Sequence, residues 1–520
     1  MRLNDQVSPD KPAIILNSSG TVVTYAELDR RANQIAHLLH RHGLAPGDTV
    51  AILMDNNEHV HAMMWAARRS GLYYTLLNTH LNPSEVAYVV ADSAAKALIG
   101  SAGTRDVCAA LADHLPDGLP AVTLIADTDL EGWWRYPECV ADQPVTPLGT
   151  DEEGDLLQYS SGSTGRPKGI KRPRNSSGPV RGAKPSTPVF EKLGVGQESV
   201  YLSPAPLYHT APAMWTMCAQ ATGATTVIME RFDAEEALAC IQRHRVTHAQ
   251  FVPTMFVKML RLPEEARAAY DVSSLERVVH AAAPCPPEIK RQMIEWWGPI
   301  IDEYYGSSEG AGISFIRAEE WLRHPGSVGR PLMGTPHILD ETGAELPTGQ
   351  VGEIYYEGGY EFAYLNDEAK TAGARSPQGW VTVGDVGYLD QDGYLYLTDR
   401  RHHVIISGGV NIYPQETENL LISHPLVVDA AVFGVPDEVM GQRVMAVVQL
   451  ADPDLAGDDL AETLIGWLKE RMAHYKCPRS IAFEPQLPRT DAGKLYKHKL
   501  IERYSPSGGY GSANSSANRL

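Results

Sequence analysis

The sequence predicts an α/β protein, with a large multi-layered N-terminal α/β domain and a small α+β C-terminal domain. Its 520 residues are enough for two or more domains. Segments typical of strands alternate with segments typical of helices through the first 400 residues, which indicates layers of helices packed on a sheet. A turn-rich stretch near residue 400 then separates a shorter run of strands and helices.

The first elements show this alternation. Residues 24–43 read as a helix because Thr24 and Glu27 have capping-box spacing and the apolar residues that follow recur at helical intervals. An uninterrupted apolar run at 49–54 predicts a buried strand, and residues 59–70 predict the next helix. Residues 156–159 predict a further short strand.

The turn-rich stretch covers residues 379–399, where Asp392-Gly393 between two alternating segments predicts a β-hairpin. Beyond it the pattern predicts strands at 427–433 and 443–450 and a helix at 460–474. We therefore divide the chain into domains at 1–399 and 400–504. The tail, 505–520, is rich in Ser, Gly and Asn, and we expect it to be disordered.

Composition restricts the class of function. The chain has 45 Lys and Arg against 64 Asp and Glu, a net charge of −19, which argues against binding to a nucleic-acid backbone. Six cysteines without a C-x-x-C pair form no disulfide framework, so we expect a reducing cytoplasm. We find no signal peptide and no apolar run long enough to cross a bilayer. A protein that handles small molecules fits best.

The stretch 159–169, Tyr-Ser-Ser-Gly-Ser-Thr-Gly-Arg-Pro-Lys-Gly, carries the clearest chemical signal. Glycines let backbone N–H groups approach a phosphate chain, hydroxyls donate hydrogen bonds and a lysine supplies positive charge. The glycine spacing is too short for a Walker A loop, so the stretch predicts a nucleotide site of another kind. The basic segment that follows, 168–188, is either a solvated loop or a basic lid over the phosphates.

Seven blocks in order then resemble the adenylate-forming superfamily, which includes acyl-CoA synthetases, firefly luciferase and the adenylation domains of peptide synthetases. The chain looks most similar to acyl-CoA synthetases for fatty or aromatic acids. The resemblance extends from about residue 10 to residue 503. The blocks lie at 159–169, 206–210, 304–309, 326–331, 379–385, 398–414 and 488–494.

The resemblance implies a reaction in two halves. A carboxylate attacks the α-phosphorus of ATP and releases pyrophosphate, and the thiol of coenzyme A then displaces AMP from the acyl adenylate. It implies a C-terminal domain that rotates between the halves. ATP, Mg²⁺ and coenzyme A are the expected cofactor and co-substrates, and a monomer or homodimer is expected.

The resemblance assigns the family's functional roles to residues of this sequence, one block at a time. Lys494 would hold the α-phosphate and the attacking carboxylate, Glu309 would bind Mg²⁺, and His209 would line the acyl channel. Asp385 would bind the ribose hydroxyls, Tyr305 would stack on adenine, and Arg400 would bind ribose or phosphate. The other ATP-binding residues would be Ser160, Ser161, Gly162, Ser163, Thr164, Gly165, Lys168 and Ser308.

Three positions depart from the family pattern. Ser308 stands where threonine is usual and keeps the hydroxyl. His402 occupies the hinge position, where Asp or Lys is commoner, and a histidine can make rotation sensitive to pH near neutrality. Val410 replaces a frequent glutamate.

The acyl pocket is expected around three segments, with apolar walls and a small-residue floor. Its residues would be Met214, Trp215, Phe251, Met255, Ala281, Ala282 and Ala283. Because these side chains are apolar or small, we expect an aromatic, cyclic or medium-chain acid. An amide bond synthetase with an amine acceptor is the main alternative. A light-emitting oxygenase and an inactive nucleotide-binding relative are the other candidates.

Overall fold

The structure is a computed structural model that describes residues 6–149, 152–160, 167–173, 188–489 and 495–505. Its strands are β1 Pro12–Leu16, β2 Val22–Thr24, β3 Thr49–Leu53, β4 Tyr73–Leu76, β5 Ala95–Ser101, β6 Val122–Ala126, β7 Trp134–Tyr136, β8 Gln158–Ser160, β9 Lys168–Lys171, β10 Val200–Ser203, β11 Thr225–Ile228, β12 His248–Phe251, β13 Arg277–His280, β14 Ile301–Gly306, β15 Ile313–Ile316, β16 Ser327–Met333, β17 Thr335–Leu339, β18 Gly352–Glu357, β19 Ala363–Tyr364, β20 Val381–Leu389, β21 Leu395–Arg400, β22 Ile405–Ser407, β23 Val410–Ile412, β24 Val427–Asp437, β25 Gly441–Leu450 and β26 Ser480–Phe483.

The α-helices are α1 Tyr25–Arg41, α2 Val60–Arg69, α3 Pro83–Asp92, α4 Arg105–Ala110, α5 Pro188–Leu193, α6 Thr210–Thr222, α7 Ala234–His244, α8 Pro253–Leu260, α9 Glu264–Ala268, α10 Pro287–Trp297, α11 Ala318–Trp321, α12 Glu368–Gly373, α13 Pro414–Ser423, α14 Asp458–Lys469 and α15 Lys497–Tyr504. None of these helices is both long and apolar enough to cross a membrane.

Helix α1 shows how local sequence sets an element. The backbone N–H of Glu27 donates to Oγ1 of Thr24 at 3.2 Å, so the predicted N-cap is confirmed. The second half of the predicted capping box is not seen, because the side chain of Glu27 pairs with Arg30 and Arg31 rather than with the backbone of Thr24. The helix ends before Gly43, whose φ of 82° lies in the left-handed region.

The other predicted elements form with small shifts, except one. Strand β3, helix α2 and the hairpin of β20 with β21 are confirmed, as are the strands and helix of the C-terminal part. The strand predicted at 156–159 is wrong in its bounds, because pairing with β9 begins only at Gln158. Leu156 lies beside Tyr74 and forms a single isolated bridge with it.

The largest sheet has thirteen strands in the order β17-β18-β20-β21-β16-β15-β14-β13-β12-β10-β11-β1-β2. From β1 to β14 the neighbours β1, β11, β10, β12, β13 and β14 run parallel, and from β14 to β17 they pair antiparallel. The pairing changes from parallel to antiparallel at β14, and the turn that follows β14 lies at the carboxyl ends of the parallel strands. Ligands bind at such points in open α/β sheets.

A second, five-stranded sheet of β3 to β7 contributes the next layer of the N-terminal part. The C-terminal part has its own sheet, β23-β22-β25-β24 with β26 beside β25, and its own core. The architecture is a large α/β domain followed by a smaller α+β domain, as predicted. The boundary at residue 400 stays a prediction, and the tail beyond residue 505 lies outside the described residues.

Candidate active site

Tyr305, Asp385 and Arg400 meet where the sheet changes direction. The hydroxyl of Tyr305 donates to Oδ2 of Asp385 at 2.6 Å, and Nε of Arg400 lies 3.2 Å from Oδ1. Asp385 and Arg400 are direct partners in the β20–β21 ladder, so the fold holds them opposite each other. Burial, followed by the negative charge of Asp385, raises the pKa of Tyr305 well above its usual range. Tyr305 is therefore a neutral hydrogen-bond donor.

The turn after β14 brings the next predicted residues to the same place. Oγ of Ser308 lies 3.4 Å from Oγ1 of Thr210, the first residue of α6. The backbone carbonyl of Ser308 accepts from Nη2 of Arg172 at 2.6 Å. Oε1 of Glu309 accepts from the hydroxyl of Tyr364 at 2.9 Å, which orients the carboxylate. The turn thus joins the end of β14 to the start of α6.

Lys168 lies on β9, directly opposite Ser160 on β8. Its Nζ is 2.7 Å from Oδ2 of Asp367, and this hydrogen bond is the main cause that raises the pKa of Lys168 and lowers that of Asp367. The two strands bring together the ends of the predicted phosphate loop. The loop residues Ser161, Gly162, Ser163, Thr164 and Gly165 lie outside the described residues.

Lys494 also lies outside the described residues, but both flanks of its segment are described. Arg489 and Leu495 form an isolated antiparallel bridge. The guanidinium of Arg489 binds Asp429 through two contacts, Nε to Oδ2 at 2.5 Å and Nη2 to Oδ1 at 2.7 Å. Such a bidentate pair fixes direction as well as position. Arg489, at the start of this segment, is therefore anchored on β24.

Two histidines were predicted to have functional roles. His209 lies at the start of α6, and His402 lies in the turn after β21. His209 precedes the first turn of α6 with extended backbone, and its ring packs 4.6 Å from that of Tyr208. His402 lies in a 3-10 turn, Arg401–His403, directly after β21. The neighbouring ring of His403 is 4.3 Å away, and His403 contacts Asp399 at 3.3 Å.

The structure divides the predicted acyl-pocket residues between two sides of the sheet. Met214 and Trp215 lie on α6 in a cluster with Tyr304. Phe251 and Met255 lie in the core formed by α7, α8 and α10. Ala281 is buried, Ala282 is exposed with a φ of 74°, and Ala283 is half-buried. The roles of these residues stay predictions, and the α6 side is the one that adjoins Ser308.

Sequence reasoning missed two buried polar groups here. Nε2 of Gln250 donates to the hydroxyl of Tyr304 at 3.0 Å. Beneath the Ala281–Ala283 segment, Nζ of Lys290 lies 2.7 Å from Oε2 of Glu303, with Nε2 of His280 at 3.3 Å from the same oxygen. Lys290 and His280 are fully buried.

A signal for Lys290 exists in the sequence, because it shares helical spacing with Met293, Ile294 and Trp297 on the apolar face of α10. A charged residue at such a position needs a buried partner. Gln250 has no comparable signal, since a lone polar residue in a short strand is ordinary.

The cysteines are structural side chains. All six are free, and Cys108, Cys218, Cys240 and Cys477 are buried. Burial raises the pKa of Cys285, the thiol nearest the Ala281–Ala283 segment, far above neutrality. A cysteine nucleophile is therefore not part of this site.

The chain belongs to the AMP-binding enzyme family. The model of the AMP-binding enzyme matches residues 2–362, and the model of its C-terminal domain matches residues 416–494. A feruloyl-CoA synthase of Amycolatopsis sp is 32% identical over 504 residues, which are 96% of this chain and 97% of the relative. A long-chain-fatty-acid–CoA ligase of Mycobacterium tuberculosis is 30% identical over 507 residues, 97% of this chain and 98% of the relative.

Solved structures have the same architecture. The amide bond synthetase McbA from Marinactinospora thermotolerans matches with a TM-score of 0.81 and 28% identity over 97% of this chain and 99% of that chain. The o-succinylbenzoate CoA synthetase of Bacillus subtilis, in complex with its acyl-adenylate intermediate, matches with a TM-score of 0.77 and 27% identity over 97% of each chain.

Proposed function

We propose that the protein is an AMP-forming carboxylate–CoA ligase that works through an acyl adenylate. The observation that carries this proposal is the contact of Asp385 with both Tyr305 and Arg400 at the point where the sheet changes direction. At this point an aromatic ring suits the adenine of a nucleotide, a carboxylate suits its ribose hydroxyls, and a guanidinium suits its phosphates. The match of both family domains supports the same reaction.

In the first half, a carboxylate oxygen of the acid attacks the α-phosphorus of ATP. A P–O bond forms, and the bond to the β-phosphate oxygen breaks to release pyrophosphate. The carboxylate is already ionised, so no general base is needed. The barrier is repulsion between two anions, and positive groups lower it by stabilising the charge on the phosphate. Lys494 would supply that charge at the α-phosphate, and Lys168 would bind the β- and γ-phosphates after leaving Asp367.

The donors present fit a magnesium ion. Glu309 is a half-buried carboxylate beside the hydroxyl of Ser308, and Mg²⁺ prefers oxygen ligands together with phosphate oxygens. Glu309 would hold the ion, which would supply charge neutralisation on the triphosphate. The hydrogen bond from Tyr364 orients the carboxylate for this role.

In the second half, the sulfur of coenzyme A attacks the acyl carbonyl carbon. A C–S bond forms, the bond to AMP breaks, and the thiol proton is lost to solvent. We propose that residues 400–504 rotate between the halves about His402, which lies in the short turn after β21. The contact of Arg261 on the large domain with the carbonyl of Val427 on the small one would break and reform in each cycle.

For the acid we propose an aromatic, cyclic or medium-chain carboxylate that reaches the apolar side chains of Met214 and Trp215. His209 would lie beside its carboxyl end, because it immediately precedes Thr210 and the Ser308 contact. The names of the relatives, which include feruloyl and long-chain fatty acids, support an apolar acid. We also propose a cytoplasmic location, which the six unpaired thiols support.

One observation favours a second candidate. The likeness to the amide bond synthetase covers 97% of this chain, so transfer to an amine is compatible with the fold. Incubation with ATP, Mg²⁺ and a panel of acids, with and without coenzyme A, distinguishes the two. Acyl-CoA and AMP by mass spectrometry would support the ligase. An acyl adenylate that yields no thioester, but yields an amide with added amines, would support the alternative.

A further inference from the structure

A buried polar pair lies on the sheet beneath helix α6. Gln250 is 6% exposed, and its Nε2 donates to the hydroxyl of Tyr304 at 3.0 Å. Its other amide atom, Oε1, is buried and has no hydrogen-bond partner among the described residues. A buried acceptor without a donor is unfavourable, so a protein retains one where something else supplies the donor.

Strand register places this pair on the same side of the sheet as the proposed acyl site. Gln250 is the direct partner of Val279, and Val279 is the partner of Asp302, two residues before Tyr304. Because side chains alternate along a strand, Gln250, Val279 and Tyr304 share a face. Phe251 points to the opposite face and packs in the other core.

Helix α6 covers that face and leads from it to the nucleotide end of the site. The ring of Trp215 stacks on Tyr304, with ring centres 5.4 Å apart and planes at 22°. The helix begins at Thr210, which contacts Ser308. Trp215 follows five residues later, which is roughly 7 Å further along the helix axis. The polar pair therefore lies deeper than the place where the acid's carboxyl group would react.

Another polar group without a partner among the described residues, a hydroxyl, lies in the same cluster. Tyr201 is fully buried, its hydroxyl has no partner among the described residues, and it packs in the cluster that contains Trp215. Tyr201 is the direct strand partner of His248, two residues before Gln250, so Tyr201 and Gln250 share a face of the sheet. An acceptor and a donor thus remain unpaired on one buried surface.

We propose that Gln250 is a specificity-determining residue that selects an acid with a hydroxyl group at the end remote from its carboxylate. The substrate hydroxyl donates to Oε1 of Gln250, which Tyr304 holds in place. The same hydroxyl can accept from Tyr201. The aromatic walls of Trp215 and Tyr304 favour a phenolic acid. This inference rests on the proposed function, because it names the substrate class of the same acyl site.

The test compares acids that differ only at the remote position. Cinnamic acid, 4-hydroxycinnamic acid and 4-methoxycinnamic acid are assayed with ATP, Mg²⁺ and coenzyme A, and kcat/KM is measured for each. We expect the hydroxy acid to be preferred at least about tenfold over both others, because the methoxy oxygen accepts but cannot donate. Equal values for the hydroxy acid and cinnamic acid would overturn the proposal.

Variants locate the preference. Gln250→Leu removes the acceptor, and we expect the kcat/KM values of the three acids to lie within about threefold of one another. A difference of that size is what an ordinary change of packing produces. Tyr304→Phe keeps the ring that stacks on Trp215 but releases Gln250, so we expect a partial loss of preference. It also keeps the test available if Gln250→Leu fails to fold. An undiminished preference in both variants would refute the assignment.

Gln220→Leu is the matched control. Gln220 is a buried glutamine on α6 whose amide is fully engaged, accepting from Trp65 at 2.7 Å and donating to Thr226 at 3.2 Å. We expect this variant to be less stable but to keep the hydroxyl preference. A loss of preference in Gln220→Leu as well would show that general loosening, rather than the Gln250 contact, sets the ratio.

A binding measurement separates this inference from the proposed function. Non-hydrolysable sulfamoyl-adenosine analogues of the hydroxycinnamoyl and cinnamoyl adenylates bind without coenzyme A chemistry, and their shifts of the unfolding temperature report affinity. A larger shift with the hydroxy analogue, lost in Gln250→Leu, supports the inference even if no thioester forms. Equal shifts overturn it even if the protein proves to be a CoA ligase.

Discussion

The hydroxyl of Tyr305 donates a 2.6 Å hydrogen bond to Asp385, although 80 residues separate the two in the chain. Tyr305 comes from the last strand of the parallel half of the sheet and Asp385 from its antiparallel half. The bond therefore joins the parallel and the antiparallel half of the sheet. It leaves Asp385 with one oxygen directed to Tyr305 and the other to Arg400.

Asp385→Ala is expected to raise the KM for ATP by about ten- to a hundredfold, because it would remove the charged acceptor that we propose for the ribose hydroxyls. The measurement is pyrophosphate release against ATP concentration at saturating acid. Asp392→Ala, at an exposed turn residue of the adjoining hairpin, should leave the KM unchanged. An unaltered KM in Asp385→Ala would remove this residue from the nucleotide site.

Lys494→Ala is expected to lower adenylation by at least about a hundredfold, since it would remove the positive charge that we propose for the α-phosphate as negative charge develops there. Thioester formation from a supplied acyl adenylate should be spared, because that step does not involve the triphosphate. The exchange of labelled pyrophosphate into ATP measures the first half alone. Lys499→Ala, an exposed lysine on α15, is the control. Normal exchange in Lys494→Ala would show that another group stabilises the phosphate.

Asp429→Asn is expected to slow adenylation by about tenfold or more while leaving thioester formation nearly unchanged. Asp429 is not among the proposed substrate-binding residues, and it would act by anchoring Arg489 at the start of the segment that carries Lys494. Misplacing a charged group by even 1 Å can cost this much. Glu484→Gln, which loosens a pair with the exposed Arg503, controls for general effects on the small domain. Equal slowing of both halves would contradict a positioning role.

Lys290→Met is expected to lower the free energy of unfolding by about 3–5 kcal/mol, because it leaves the buried carboxylate of Glu303 without its nearest charge. Urea unfolding at pH 7 measures the loss. The matched control is Lys258→Met on α8, where the lysine is exposed and the expected change is below about 1 kcal/mol. Similar losses of unfolding free energy in the two variants would show that the buried Lys290–Glu303 pair stabilises the fold no more than an exposed lysine does.

The same cluster predicts an acid dependence of stability. Burial alone would raise the pKa of Glu303, but the charges and hydrogen bonds of Lys290 and His280 lower it to about 2. The unfolded chain takes up a proton near pH 4.5, so this stabilisation is complete above that pH and is lost as the pH falls toward 2. Unfolding by urea should show a free energy of unfolding that falls across this pH range, and in Lys290→Met this fall should be smaller. An identical acid profile in the variant would contradict the assignment.

Local sequence signals were enough to predict the class of this protein and most of its elements. Local signals sufficed for α1, because Thr24 caps it and Gly43 ends it, and for the hairpin at Asp392-Gly393. The ordered blocks indicated the family and named Tyr305, Asp385 and Arg400 before any contact between them was visible. Such signals lie within a few consecutive residues, where backbone preference and motif spacing act.

The contacts between these residues depend on the tertiary fold and could not be predicted from the local sequence. Gln250 is an ordinary strand residue until β14 places the hydroxyl of Tyr304 beside it, and the division of Trp215 and Phe251 between two faces depends on strand register. Lys290, on α10, is likewise stable in the core only because Glu303 on β14 lies beside it. The energies of buried polar groups depend on partners distant in the chain, and no local pattern encodes those partners.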